Sequence, residues 1–493
     1  MTLDQLGPVL LIGAAVVILA VIGVRFTGRL GVPGLLLYLA IGLLLGWVLP
    51  GDSLIDPSLA TVLGYAALVL ILAHGGLTTP LAELRPVLGP SLLLATVGIA
   101  VSVAVVAVPL VVLLDVDPQL AILLGAVLAA TDAAAVFSVL RRINVAPRLK
   151  TMLEGESGFN DAPVVVLVTV VASGSLEGDP WLVPLLVVGE LIGGAIVGLA
   201  IGFATRWLIP RLALPAIGLY PIAAVAMLVG AYGVADLVHS SGFMAVYVAA
   251  VLLGSARNLP HRRAVLGFSD GLSWLAEIGL FVMLGLLANP ARLPSSILIA
   301  LVAAAALVLL GRPLAAIVSL VPFRWPARQV GFVSIAGLRG AVPIVFAAIP
   351  LGLGLPGAET VFDATLIVVL VLTLIQAPTL PWVARRLGVT EAEQPLELNV
   401  DVAPLDDLDA AVIAIDIDAD SRLIGVYVRE LSLPSGAVVS LIVRGDHAEP
   451  AVPEVRLREG DRLIVVAAEA MRTRTEEVLR ELSRKGRLGN WHP

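Results

Sequence analysis

The chain has 493 residues, of which 59% are hydrophobic and only 14% charged, with no cysteine and five scattered histidines. Such a composition, with a mean hydropathy of +1.01, excludes a water-soluble globule, and the missing cysteines exclude disulfides and thiolate metal sites. The formal charge of −7 is uneven: 20 of the 38 acidic residues lie beyond residue 390, so a membrane part, 1–390, precedes a soluble tail, 391–493.

The opening MTLDQLGP carries Asp4 and no basic stretch, so the first apolar run reads as a retained span and not as a cleavable signal. Thirteen apolar segments follow in order: 8–24, 31–50, 59–77, 88–113, 118–140, 151–173, 182–208, 213–238, 241–256, 266–289, 294–322, 327–350 and 359–384. The fold class expected is a polytopic α-helical membrane protein with a small α+β domain after it. Basic residues gather in alternate connections, among them Arg25, Arg85, Arg141, Arg142, Arg148, Lys150, Arg206, Arg263, Arg328 and Arg386. The other connections hold Arg292 alone beside Asp52, Asp56, Asp115, Asp117, Glu177 and Asp179. That bias places the N-terminus outside and the tail in the cytoplasm of a multi-pass protein. In the tail, AAVIAIDID and GAVVSLIVRG read as strands, VRLREGDRLIVVAA as a hairpin turning at Glu459 to Asp461, and EAMRTRTEEVLRELSRKG as an amphipathic helix.

Ionisable residues inside spans are costly, so each is a functional candidate. LAATDAAAVFSVL places Thr131 and Asp132 near the middle of the fifth segment. In GESGFND, Asp161 lies roughly 15 Å into the sixth segment, and Arg339 in GLRGAVP falls at a similar depth in the twelfth. Helical spacing divides the motif. Glu154, Ser157 and Asp161 fall on one stripe, and Glu156 and Asn160 on the next. The first stripe offers oxygens to a small cation, together with Thr131 and Asp132. Arg339 is the expected countercharge for Glu156, a structural ion pair. Thr131 has a plainer alternative, bonding back to a helical carbonyl. Glu190, Asp236, Glu277 and Asp363, in or near spans, are expected to pack internally or to reach an end. A carboxylate deep in a membrane holds a proton or a cation, and that competition alone couples the two flows. No GxxxxGK[ST] motif is present to supply another energy source.

TDAAAVFSVL, LEGESGFNDAP, SSGFMAVYVA, GLRGAVPIVFA and IQAPTLPWVARRLG resemble, in order, the motifs of NhaP-type cation:proton antiporters, over roughly residues 30–390. The resemblance implies inverted repeats, two crossing discontinuous helices, a homodimer and alternating access. It also implies a transporter, not an enzyme, in a bacterial inner membrane, with a part in pH homeostasis. Carried over, Asp161 is the ion and proton carboxylate, Asp132 and Thr131 sit at the broken fifth helix, and Ser157 contributes to monovalent cation binding. Asn160 before Asp161 implies electroneutral exchange, and Glu156 with Arg339 the structural pair. Where the family carries an acid or amide in the third segment, LILAHGGLT has His74, either a pH gate near neutrality or a neutral filler. The tail, over roughly 396–475, resembles an RCK_C (TrkA C-terminal) domain through Gly425, Leu431, Pro434, Gly460 and Asp461. Such domains pair across a dimer and bind small ligands, in some families cyclic di-AMP, and accompany K+ transport; K+ is therefore preferred to Na+. No covalent cofactor and no nucleic-acid partner are expected; membrane lipid is.

Two rivals belong to other classes. GESG fits the GxSG pattern of intramembrane serine proteases, with Ser157 and His74 as a dyad. An RCK-gated channel is the second, although no TVGYG-like filter sequence occurs.

Overall fold

Apolar runs that face lipid on one side and neighbouring helices on the other form long helices, because every backbone polar group must be satisfied within its own segment. The computed structural model describes residues 3–30, 34–48, 56–132, 145–174, 182–256, 258–390, 400–405, 410–417, 421–445 and 447–485. It divides into two units, Met1–Thr390 and Glu391–Pro493, each with a hydrophobic core of its own.

The first unit is helical: α1 Leu3–Leu30, α2 Gly34–Val48, α3 Pro57–Thr78, α4 Leu81–Leu114, α5 Pro118–Ala129, α6 Pro147–Ala172, α7 Leu182–Leu208 and α8 Leu219–Leu237. There follow α9 Gly242–Gly254, α10 Arg262–Leu287, α11 Leu293–Phe323, α12 Ala327–Ala336, α13 Ala341–Gly352 and α14 Ala358–Leu387. Starts are marked locally. Asp56 and Asp117 accept backbone N–H groups at the heads of α3 and α5, where Pro57 and Pro118 have no N–H to satisfy, and Ser241 does so for α9. Leu185, Ile192, Ile196 and Phe203 leave the outer face of α7 exposed and apolar, as a lipid-facing helix requires. By contrast α6 is buried along most of its length although it carries Glu154, Glu156 and Asp161. It packs against α4, α5, α7, α9 and α13, so its charges are shut among other helices.

Among the described residues, seven helices are long and apolar enough to cross a membrane, eight if the bent pair α12 and α13 counts once. The apolar parts of α1, α2, α5 and α9 are shorter. Thirteen full spans are therefore not established. The fifth expected segment stops being helical at Ala130, and its second half, 133–144, lies outside the described residues.

The second unit is a five-stranded antiparallel sheet of order β1-β2-β5-β3-β4, built from Val400–Leu405, Ala410–Asp416, Asp461–Ala468, Ala437–Arg444 and His447–Pro450. Leu463, Val465 and Ala467 alternate inward and meet Ile413, Ile415 and, from α15 Arg472–Lys485, Leu479 and Leu482. The hairpin expected at Glu459 to Asp461 does not form. β5 pairs with β2 and β3, and the preceding run makes one bridge, Arg456 to Tyr427.

Candidate functional site

The site grows from two interrupted helices. α5 ends when Ala130 turns extended, leaving Thr131 and Asp132 outside the helix but buried. α12 and α13 are bent by 50° about Gly337 to Gly340. The two interruptions meet: the Asp132 N–H donates to the Leu338 carbonyl at 3.1 Å, and Asp132 Oδ2 accepts from the Ala341 N–H at 2.8 Å. A carboxylate thus sits on the positive end of α13, where the first N–H groups lack helical partners. Gly340 makes this approach feasible, since a Cβ there would fall on the Asp132 carboxylate.

Arg339 serves the opposite ends. Its Nε donates to the Leu128 carbonyl in the last turn of α5 at 3.2 Å, and its Nη1 to the Gly337 carbonyl beyond α12. The Thr373 hydroxyl donates to the Arg339 carbonyl at 2.9 Å. A buried guanidinium placed at two helix C-termini meets carbonyls that the breaks have released.

The expected Glu156–Arg339 pair is corrected by this geometry. Glu156 takes Arg312 of α11 in a two-pronged pair, Nη2 to Oε2 at 2.8 Å and Nη1 to Oε1, both side chains nearly sealed from solvent. Arg312, in the run LVLLGRPLAA, was the intramembrane charge missed in the sequence. Its signal is an arginine inside the apolar segment 294–322, about two-thirds of the way along it.

Beside the breaks, Asn160 Nδ2 donates to Thr131 Oγ1 at 2.6 Å, and Thr131 Oγ1 lies 3.0 Å from Ser157 Oγ. Asn160 Oδ1 and Asp161 Oδ1 are buried without a hydrogen-bond partner. Unsatisfied buried acceptors are costly, and here two stand on consecutive residues of α6. Asp161, Asp132, Glu154, Gly158, Thr79 and Tyr247 share the wall of a cavity of about 20 Å³, room for about one water or one bare monovalent cation. Its apolar side is formed by Leu68, Ile71, Leu72 and Val342. Gly158 lets the ring of Tyr247 lie against α6, and Phe159 meets the same ring edge-on at 5.0 Å. The Tyr247 hydroxyl lies beside Thr79 without a well-formed hydrogen bond to it.

His74 is elsewhere. Its Nδ1 is 3.1 Å from Ser269 Oγ and its Nε2 is 3.4 Å from Asp270 Oδ1, both on α10, and it does not line the cavity. Asp363, expected to pack internally or to reach an end, is buried on α14 and reaches Arg292 Nε at 3.3 Å. No group of three or more His, Cys, Asp or Glu residues suited to a resident metal occurs among the described residues.

The family model for the transmembrane sodium/hydrogen exchanger matches residues 15–386. The chain belongs to the sodium/hydrogen exchanger family. A model for the TrkA-C domain matches residues 412–479. The exchanger is 34% identical over 453 residues to the K(+)/H(+) antiporter NhaP of Alkalimonas amylolytica, covering 90% of this chain and 78% of that protein. It is 34% identical over 478 residues to the K(+)/H(+) antiporter NhaP2 of Shewanella sp. (strain ANA-3), covering 95% and 83%. In fold it is similar to the sodium proton antiporter MjNhaP1 of Methanocaldococcus jannaschii, with a TM-score of 0.67 at 23% identity over 78% of this chain and 100% of that one. The protein is a cation:proton antiporter, a transporter and not an enzyme. The protease reading of GESG falls on geometry too, because Ser157 bonds with Thr131 while His74 bonds with α10.

Proposed function

We propose that this exchanger trades K+ for H+, one for one, at Asp161. The observation that carries the reading is the Asp161 Oδ1 acceptor, buried without a partner on the wall of a cavity of about 20 Å³. A carboxylate shut away from water is poorly tolerated as a bare anion, so it takes a proton or a cation. The cation displaces the proton at Asp161 on the cavity wall, and the Thr131 and Ser157 hydroxyls and Asn160 Oδ1, which lie off that wall and bond among themselves at rest, turn to it as it binds. Asp132 keeps its bond to the Ala341 N–H, holding the two breaks together while Asp161 changes state. Asn160 carries no charge, so one carboxylate alternates and one cation balances one proton.

Alternating access belongs to the same reading. Thirteen membrane segments in inverted repeats, with the breaks of α5 and α12–α13 as the crossing, carry the site from one face to the other. The N-terminus is outside, the tail is in the cytoplasm of a bacterial inner membrane, and the protein is a homodimer through both units. The tail regulates exchange through a small ligand, cyclic di-AMP being the class its resemblance implies. K+ is preferred because the NhaP and NhaP2 relatives are K(+)/H(+) antiporters by name and the tail is of the TrkA-C kind.

The test is exchange by the reconstituted full chain with K+, Na+, Li+ and Rb+ across pH. K+ should drive proton movement without net charge transfer, and Asp161→Asn should abolish it while the protein stays monodisperse. Full activity in Asp161→Asn would sink the mechanism. Na+ in preference to K+ would overturn the ion assignment alone, because the same oxygens serve either ion.

A further inference from the structure

We infer that Glu154 is a second ion-handling carboxylate, standing at the mouth of the cavity and passing the cation and the proton to and from Asp161. The inference rests on Asp161 being the exchange site. α6 presents Glu154, Gly158 and Asp161 to one cavity, at i, i+4 and i+7, with the carboxylate-bearing residues about 10 Å apart along the axis. Asp161 is 5% exposed and Glu154 8%, whereas Lys150, one turn nearer the Arg148 end of α6, has a side chain 49% exposed. The exposed Lys150, at i−4 from Glu154, puts solvent one turn beyond Glu154 on this side of α6.

Its bonding separates it from a structural acid. Glu156, two residues on, is locked by both prongs of Arg312. Among the described residues Glu154 has one ion pair, to Lys150 Nζ at 3.8 Å, with the lysine half in solvent, a contact of the weakly held kind. A carboxylate with a loose, replaceable countercharge suits a stop on an ion path: an arriving monovalent cation takes the place of the ammonium and then moves inward to the unpartnered Asp161 oxygen. The cavity has room for about one such ion, so ion and water do not pass one another there. Glu83 of α4, off the cavity wall, accepts from Thr151 Oγ1 at 3.4 Å and adds a second acidic charge near Glu154. Tyr247 of α9 and Thr79 form the facing wall beside Glu154.

The experiment compares Glu154→Gln, Glu154→Asp, Lys150→Gln and Asp161→Asn in full-length reconstituted protein, reading exchange against K+ concentration and pH. Glu154→Gln should keep maximal turnover within about threefold and raise the apparent KM for K+ by about tenfold, the scale set by removing one charge from an ion's path. Its activity profile should also shift along the pH axis, which a purely structural residue would not cause. Glu154→Asp should fall between. Lys150→Gln, exposed and tolerant of change, should lower the apparent KM, because the competing ammonium is gone. Unchanged KM and pH profile in Glu154→Gln, or in Lys150→Gln together with Glu154→Asp where the glutamine variant fails to fold, overturns the relay. Complete loss of exchange in a folded Glu154→Gln also overturns it, making Glu154 part of the site itself. An active Asp161→Asn instead removes the reading beneath it.

Discussion

Glu156 chooses between two buried arginines, and the choice follows from what each arginine already has. Arg339 meets carbonyls released at two helix ends, while Arg312, which follows the π-helical turn Leu307–Gly311 inside α11, has the Glu156 carboxylate as its hydrogen-bond partner among the described residues. Breaking a buried pair from one side leaves an uncompensated charge, so Arg312→Gln should cost about 3–5 kcal/mol. Thermal unfolding in detergent should then show Glu156→Gln recovering part of that loss when added to Arg312→Gln, and less when added to Arg339→Gln, which feels the Glu156 charge without bonding to it. Coupling with Arg339 instead would reverse the assignment. The sequence showed that a buried acid needed a base but not which one, since partners on different helices are decided by how the helices cross. Spacing within α6 was more informative. At about 100° per residue, Ser157 lies between Asp161 and Asn160, so the stripe of Glu154 and Asp161 does face one cavity while Ser157 turns to Thr131.

At the scale of elements, two helix interruptions stabilise each other by opposite charges: Asp132 on an N-terminus, Arg339 on two C-termini. Hydropathy does not register such breaks, because an apolar run reads the same whether helical or not. That is why 118–140 was expected as one span and the structure ends the helix at Ala129. The local chemistry was the better guide. Thr131-Asp132 is a pair that favours helix ends, and GLRG combines two glycines about a charge, where α12 and α13 separate. Gly340→Ala tests the arrangement, since its Cβ would strike the Asp132 carboxylate. Displacing that cap and its neighbours should cost about 1–3 kcal/mol, read as a lower unfolding temperature, with exchange reduced in proportion to the misplaced Asp132. Alanine at Gly279 of α10, which has open space, is the control and should be silent. Equal behaviour of the two variants would mean that the close approach at Gly340 is not required.

On the scale of the whole molecule, two separate cores mean two separable stabilities. In the membrane unit the buried Glu156 pairs with Arg312 and Asp132 caps α13, and the tail likewise uses a buried acid for architecture. Asp461 is fully buried at the start of β5, where it accepts from Arg444 Nε and Nη2, each at 2.8 Å, and from the Arg458 N–H at 2.8 Å. Burial alone pushes its carboxyl up, but the Arg444 bonds, the Arg458 N–H and the nearby positive charges outweigh it and hold the group below the usual carboxylate range. A depressed folded-state value adds stability that is fully present above the ordinary carboxylate pKa of about 4 and is lost as pH falls through the folded value. Arg444 stays protonated throughout. The 391–493 unit should therefore lose stability at acid pH below that range and be insensitive to this group near neutrality. Asp461→Asn should remove about 1–3 kcal/mol at neutral pH, the cost of a charged hydrogen bond lost inside a core, and flatten the acid dependence. Amide hydrogen exchange in β3 and β5 of the full chain reads both effects. Cation-dependent proton movement should persist in the same variant with altered regulation, because the ion site lies wholly in Met1–Thr390. If Asp461→Asn abolished exchange while α6 and α13 kept their wild-type amide protection, the tail would be part of the transport cycle itself and not its regulator.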